Sequence, residues 1–265
     1  MALIGNEVEN KEFDRINRIL ISQPKPANRL PYQEIERKFN LTIDFRPFTQ
    51  NVPVFAKDFR KQKIRPDEFT AVVFNSKHAV DHYFRLCDEM RLKVSQDMKY
   101  FCTTEAIALY LQKFIVFRKR KVFAGTKSIH DLAASLKKHS KEKYLIPCND
   151  QGAKSIVDYL KELGIEYQEA IMYNTENCDL LDLRDETYDL LVFFSPIEIR
   201  SLFENFPDFK QNNTRIAVFG VNTGQAVDER GLHVDINAPV PEAPSMTMAI
   251  ELYLQKSNSQ TNIEQ

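Results

Sequence analysis

The residues of this chain best suited to chemistry are hydroxyls and small polar groups set directly after apolar runs. Ser76 follows "AVVF" and precedes Lys77 and His78, and Ser195 follows "LLVFF". Thr104 lies just past "KYFC", Ser128 past "VFAGTK", Thr223 past "IAVFGVN", and Gln23 past "RILIS". An apolar run that ends in such a loop and leads into a helix reads as a strand feeding a helix N-terminus. That terminus presents free N–H groups and partial positive charge, which suits carboxylates or phosphates. Each residue alone is equally a helix cap: Ser76 and Ser195 at their own helices, Thr223 at a helix over Gly224–Arg230. With the similar loops at 148–151 and 243–245 there are eight in one chain, which is more suggestive of an anion site than any one of them.

Strong acid–base sets are missing from the pattern. Five histidines are scattered at 78, 82, 130, 139 and 233. His78 stands in a candidate loop, and His82 one turn later reads as a surface helix residue. The chain has no GxSxG, HExxH, GxGxxG or P-loop pattern, so neither a hydrolase elbow, a zinc protease nor a nucleotide site is indicated. Cysteines at 87, 102, 148 and 178 form no CxxC pair or Cys/His cluster, so no metal and no disulfide framework is expected.

The elements that must position these groups are written twice. "VVFNSKHAVDHYF" (72–84) is matched 119 positions later by "LVFFSPIEIRSLF" (191–203). In each, an apolar run is followed by a serine cap and a helical face: Val80, Tyr83 and Phe84 in the first, Ile199, Leu202 and Phe203 in the second. Pro196 falls just inside its cap, where a missing N–H costs nothing. The likeness extends outward: 18–50 resembles 143–175, and 99–136 resembles 215–254. Alternating strands and helices imply parallel sheets covered on both faces, and a repeat this long implies duplication rather than a solenoid. The first dozen residues and the tail "QKSNSQTNIEQ" are polar and aperiodic and are expected to fray.

Composition narrows the field. The 265 residues are 43% hydrophobic, with net charge −1. That balance hides a split: residues 49–175 hold 22 Lys and Arg against 15 Asp and Glu, and the rest hold 14 against 22. A basic half favours an anionic ligand. No basic run carries a nucleic-acid-binding motif, so no nucleic acid is expected. No run is long and apolar enough for a membrane span, and the first fourteen residues lack a secretory pattern. The expectation is a reduced, cytoplasmic monomer with no membrane association.

Five segments, "LISQPKP", "VVFNSKHAVDHYF", "GIEYQEAIMYNT", "FFSPIEIRSLF" and "VFGVNTGQAVDERGLHV", resemble in order and spacing the uroporphyrinogen-III synthase family. The resemblance runs from about 17 to 254. It implies an α/β fold of two similar lobes, each a parallel sheet flanked by helices (flavodoxin-like), joined by a two-stranded linker near Asp44–Gln50 and Ala170–Thr175. It divides the chain into a discontinuous lobe, 1–48 plus 176–265, and an inserted lobe, 49–175. It also implies a cofactor-independent lyase that cyclises hydroxymethylbilane, a linear tetrapyrrole with eight carboxylates, inverting ring D to give uroporphyrinogen III. Hydroxymethylbilane synthase, which makes that substrate, is the protein partner implied.

Residue by residue, the resemblance makes Tyr173 the group that assists departure of the substrate hydroxyl. Ser76, Ser128, Ser195 and Thr223 become donors to substrate carboxylates. Gln23 stands where the family has an arginine, and "CTTEA" puts Glu105 where a threonine is usual, leaving Thr103 or Thr104 to substitute. Lys77 and His78 replace neutral residues and restore positive charge. These departures keep a second reading open, a non-catalytic two-lobed tetrapyrrole- or polyanion-binding protein. A flavodoxin-like redox or nucleotide protein is a third.

Overall fold

The structure, a computed structural model, describes residues 15–261. In chain order the elements begin with β1 (Arg18–Ile21), α1 (Leu30–Phe39), β2 (Thr42–Phe45), β3 (Thr49–Pro53) and α2 (Ala56–Phe59). Next come β4 (Ala71–Phe74), α3 (Lys77–Glu89), β5 (Lys99–Cys102), α4 (Glu105–Leu111), β6 (Val122–Ala124) and α5 (Ala133–Lys138). Then follow β7 (Tyr144–Asn149), α6 (Lys154–Glu162), β8 (Tyr167–Asn177), β9 (Leu190–Phe193) and α7 (Pro196–Asn205). The chain closes with β10 (Arg215–Phe219), α8 (Val221–Asp228), β11 (Ile236–Ala238) and α9 (Met246–Thr261).

Two compact units result. One takes the described residues up to Gln50 and those from Asn177 onward; the other is Asn51–Glu176. The first carries a five-stranded sheet in the order β11-β10-β9-β1-β2, with every pair parallel. Numbered along its own strands this is 2-1-3-4-5, the flavodoxin-like winding. The second carries β8-β7-β4-β5-β6, likewise parallel, with β3 added beside β8. Hydrogen bonds from Val54 N–H to Met172 O and from Thr175 Oγ1 to Asn51 Oδ1 run in opposite chain directions, so β3 lies antiparallel to β8. Both chain passages between the units fall inside these two strands. The linker strand expected near Asp44–Gln50 is thus β3, starting at Thr49; Asp44 and Phe45 belong to β2, paired with β1.

The central strands are what uninterrupted apolar runs should become. Ala71–Phe74 is 0% exposed throughout, and Leu190–Phe193 no more than 1%. A strand buried on both faces needs no polar alternation. Each sheet has a core on either side. In the second unit, α3 and α4 cover one face through Val80, Tyr83, Leu86 and Leu111, while α5 and α6 cover the other through Leu136, Ile156 and Leu160. In the first, α1 and α9 pack on one face, and α7 and α8 on the other. The polar tail that was expected to fray continues α9 as far as Thr261. The first dozen residues lie outside the described part.

Candidate active site

Tyr173 owes its place to a break in β8. Strict alternation would send Ala170 and Met172 to one face, Ile171 and Tyr173 to the other. Cys148 opposes Ile171, however, and its neighbour Asn149 opposes Tyr173, so Met172 is the extra residue of a bulge. Two consecutive residues are therefore buried, and Tyr173 joins the core beneath α3 rather than the one Ile171 packs against. Its ring is 7% exposed.

Under α3 it meets two side chains. Ser76 caps the helix, its Oγ accepting the Ala79 N–H at 3.0 Å, and its hydroxyl lies near enough to the Tyr173 phenol to act on its titration. Burial pushes the Tyr173 phenol up from its ordinary value, and the nearby Ser76 hydroxyl offsets part of that rise. The phenol is therefore protonated at neutral pH. His82, in the second turn of α3, lies on the tyrosine ring, with centroids 4.7 Å apart and planes 14° from parallel. Burial, with Arg85 and His78 adding to it against Asp81, pulls its imidazole down to about 4. His82 is thus a half-buried neighbour of Tyr173, not the surface helix residue its pattern suggested.

The start of α3 is unusual for its charge. Acidic residues favour a helix N-terminus and basic ones oppose it by about 0.3–1 kcal/mol each. Here the first turn has no acid and opens with exposed Lys77 and His78. Lys77 Nζ lies 5.5 Å from the centre of the Tyr110 ring and Lys113 Nζ 4.3 Å from it, while Tyr110 donates to Asp81 at 2.8 Å. The Tyr110 ring is thus flanked by two lysines, and a basic residue stands where the helix dipole favours an acidic one.

Of the two neighbouring turns, the one after β6 is already occupied by a carboxylate of the protein itself. After β6, Asp131 Oδ2 accepts the N–H groups of Thr126, Lys127 and Ser128 and the Thr126 hydroxyl, at 2.8–3.1 Å. Those bonds hold Asp131 at about 2. Ser128 forms a capping box with it. Gly125 is required there, since a Cβ would come 2.6 Å from the Ser128 carbonyl oxygen and 2.8 Å from that of Thr103. After β5, Thr104 caps α4 through the Ile107 N–H at 3.4 Å, and Glu105 is exposed in the first turn.

The first unit repeats this arrangement. Ser195 caps α7 in a capping box with Glu198, and Pro196 stands at the first turn as expected. Glu198 Oε2 accepts from Ser22 Oγ at 2.6 Å, Phe194 N–H at 2.6 Å and Ser195 N–H at 3.3 Å. Burial raises this carboxyl, and the three donors offset part of the rise. Thr223 does not cap its helix. α8 begins at Val221 behind Gly220, whose φ of 93° suits glycine. Thr223 lies within the helix, 2% exposed, donating to the Phe219 carbonyl at 3.0 Å. It lines a hollow with Phe194, Pro196, Phe219, Gly220 and Asn222. Gln23, partly exposed, follows Ser22 beyond β1.

The family model for uroporphyrinogen-III synthase HemD (HEM4) matches residues 32–248. The chain belongs to the uroporphyrinogen-III synthase family. No curated protein sequence matches it. Among solved structures, uroporphyrinogen-III synthetase from Helicobacter pylori is similar at 18% identity and a TM-score of 0.59, over 91% of this chain and 99% of that one. A mutant uroporphyrinogen III synthase from the extremely thermophilic bacterium Thermus thermophilus is similar at 15% identity and a TM-score of 0.56, over 91% of this chain and 99% of that one. At these identities the likeness concerns the fold.

For a uroporphyrinogen-III synthase family member, the residues singled out from sequence fall into two groups. Tyr173, Ser76, Lys77 and His78 gather at the carboxyl end of the second unit's strands, with Thr104 and Ser128 in the next two turns. Gln23, Ser195 and Thr223 follow β1, β9 and β10, adjacent strands of the first unit. His82 is the residue the sequence reading missed. Its only signal was its spacing, one turn after His78 on a helix that starts at a candidate loop. Among the described residues no cluster of His, Cys, Asp or Glu could hold a metal ion, and no helix is long and apolar enough to cross a membrane.

Proposed function

We propose that this protein is a uroporphyrinogen-III synthase, dehydrating hydroxymethylbilane and closing it with inversion of ring D. The observation that carries this reading is the buried Tyr173 phenol. It is protonated, close to the Ser76 hydroxyl, and set beneath the first turn of α3, which opens with Lys77 and His78. Such a phenol can give its proton to a departing hydroxyl, which leaves with the bonding electron pair as water. Lys77, His78 and the open N–H groups at the start of α3 take substrate carboxylates. Thr104, Ser128, Gln23 and Ser195 are secondary contacts, whereas Thr223, expected from the sequence to be another, is buried with its hydroxyl spent on the Phe219 carbonyl and supports the hollow from within. Two of these, Ser128 and Ser195, bind only through their side chains, because Asp131 and Glu198 hold the adjacent N–H groups. The remaining task, holding one closure geometry, is one of positioning, which can be worth several kcal/mol.

In this proposal the enzyme is a cytoplasmic monomer that needs no cofactor and receives its substrate from hydroxymethylbilane synthase. The test supplies hydroxymethylbilane and measures the isomers formed. Type III product is expected, with Tyr173→Phe slowing its formation without unfolding the protein. Type I product alone, at the spontaneous rate, would refute it. The carboxylates of Glu105, Asp131 and Glu198 at strand ends favour a second reading, a tetrapyrrole- or polyanion-binding protein without catalysis. Tight uroporphyrinogen binding with no change in isomer ratio would establish that.

A further inference from the structure

The stack of His82 on Tyr173 leaves a polar atom in an uncomfortable place. Its Nδ1 is fully buried and has no hydrogen-bond partner. Buried ring nitrogens are normally satisfied, and an orphan costs stability. A leucine or phenylalanine here would pack on α3's inner side without that cost. A near-parallel ring at 4.7 Å, however, constrains the plane of its neighbour as an aliphatic side chain would not. Other contacts hold Tyr173 differently. The Ser76 hydroxyl neighbours its oxygen but does not set the plane of its ring. The bulge at Met172 fixes its backbone.

We propose that His82 is the positioning residue of Tyr173: its flat ring fixes the plane of the phenol, and with it the direction in which the phenol meets the substrate. This rests on Tyr173 being the group that assists hydroxyl departure. His82 itself transfers no proton and touches no substrate. Its surroundings keep the stack uncharged. Arg85, on the same helix, is turned to the Val54 and Met172 carbonyls at 2.8 and 3.3 Å, and Asp81 is engaged by Tyr110.

The test is a double-mutant cycle with two replacements that both preserve packed volume. His82→Leu keeps bulk without a ring, and His82→Phe keeps the ring. In the bilane assay His82→Leu is expected to lower kcat about tenfold with KM nearly unchanged, as misplacement of a reacting group does. His82→Phe is expected to retain kcat within about threefold, and His82→Leu to cost nothing further when Tyr173 is already phenylalanine. Equal losses in His82→Leu and His82→Phe, or full additivity with Tyr173→Phe, would overturn the proposal. A second readout separates its failure from failure of the functional reading. With labelled tyrosine, the ring resonance missing in Tyr173→Phe identifies Tyr173. It should move in His82→Leu through loss of the stacked ring and stay near its place in His82→Phe. An unmoved resonance in His82→Leu overturns the stack whether or not the protein makes type III isomer.

Discussion

Acidification should weaken this protein through His82, and the size of the effect follows from where the ring sits. Burial against Tyr173, with Arg85 and His78 nearby, takes the imidazole from its ordinary 6.5 to about 4 in the folded chain. The unfolded chain binds this proton at about 6.5 and the folded chain only near 4. Stability from keeping the ring neutral is therefore complete above pH 6.5 and drains away as pH falls toward 4. A gap of about 2.5 units at 1.36 kcal/mol per unit sets a ceiling of about 3.4 kcal/mol. The ring is only half-buried, so solvent screening reduces this to about 1–2 kcal/mol. The assay is urea unfolding across that pH window for the wild type and for His82→Phe, which keeps the stack and cannot titrate. All other titrations are shared, so the difference between the two curves isolates His82. The wild type should lose about 1–2 kcal/mol relative to the variant between pH 6.5 and 4. Parallel curves would mean the imidazole is solvated in the folded state, and the account of its burial against Tyr173 would be wrong.

Asp131→Asn should behave in the opposite sense to a neutral surface change. Four bonds hold this carboxylate at about 2, so its contribution is present above its ordinary 3.8 and vanishes as pH falls toward 2. Amide exchange at Thr126, Lys127 and Ser128 should rise in the variant at neutral pH and match the wild type at the acid limit. Glu198→Gln places an NH2 among three donors that one oxygen now satisfies. It should cost about 2 kcal/mol of stability in urea unfolding, since buried donors are left unpaired. Thr223→Val removes the donor to the Phe219 carbonyl and should cost about 1 kcal/mol while leaving the rate of closure nearly unchanged. A large fall in rate with intact stability would make Thr223 a substrate contact instead.

Much of the site's local geometry was legible in the residues. Ser76 and Ser195 cap their helices because a hydroxyl after an apolar run satisfies an N–H that the helix cannot, a matter of three or four neighbouring residues. Thr223 misled because Gly220, with its positive φ, starts the helix three residues earlier than the threonine would. His82 could not be assigned from helical periodicity, because its partner lies on a strand more than ninety residues away. Moreover, the bulge that turns Tyr173 toward it breaks the two-residue alternation on which any strand reading rests.

With β3 set aside, the strands of the two sheets run along the chain as 1-2-3-4-5 and then 1-2-3-4-5 again. The sequence by itself determined that repeat, along with the strands, the capped helices and the basic character of residues 49–175. These follow from side chains acting on their own neighbours. Tertiary structure decided the partners: β1 pairs with β9 and β7 with β4, so each sheet joins the opening strands of one copy to the closing strands of the other. The backbone hydrogen bonds of parallel strands carry no sequence label, and Ala71–Phe74 and Leu190–Phe193 are equally apolar on both faces. Local pattern therefore cannot choose between them; only the packing of the whole chain can.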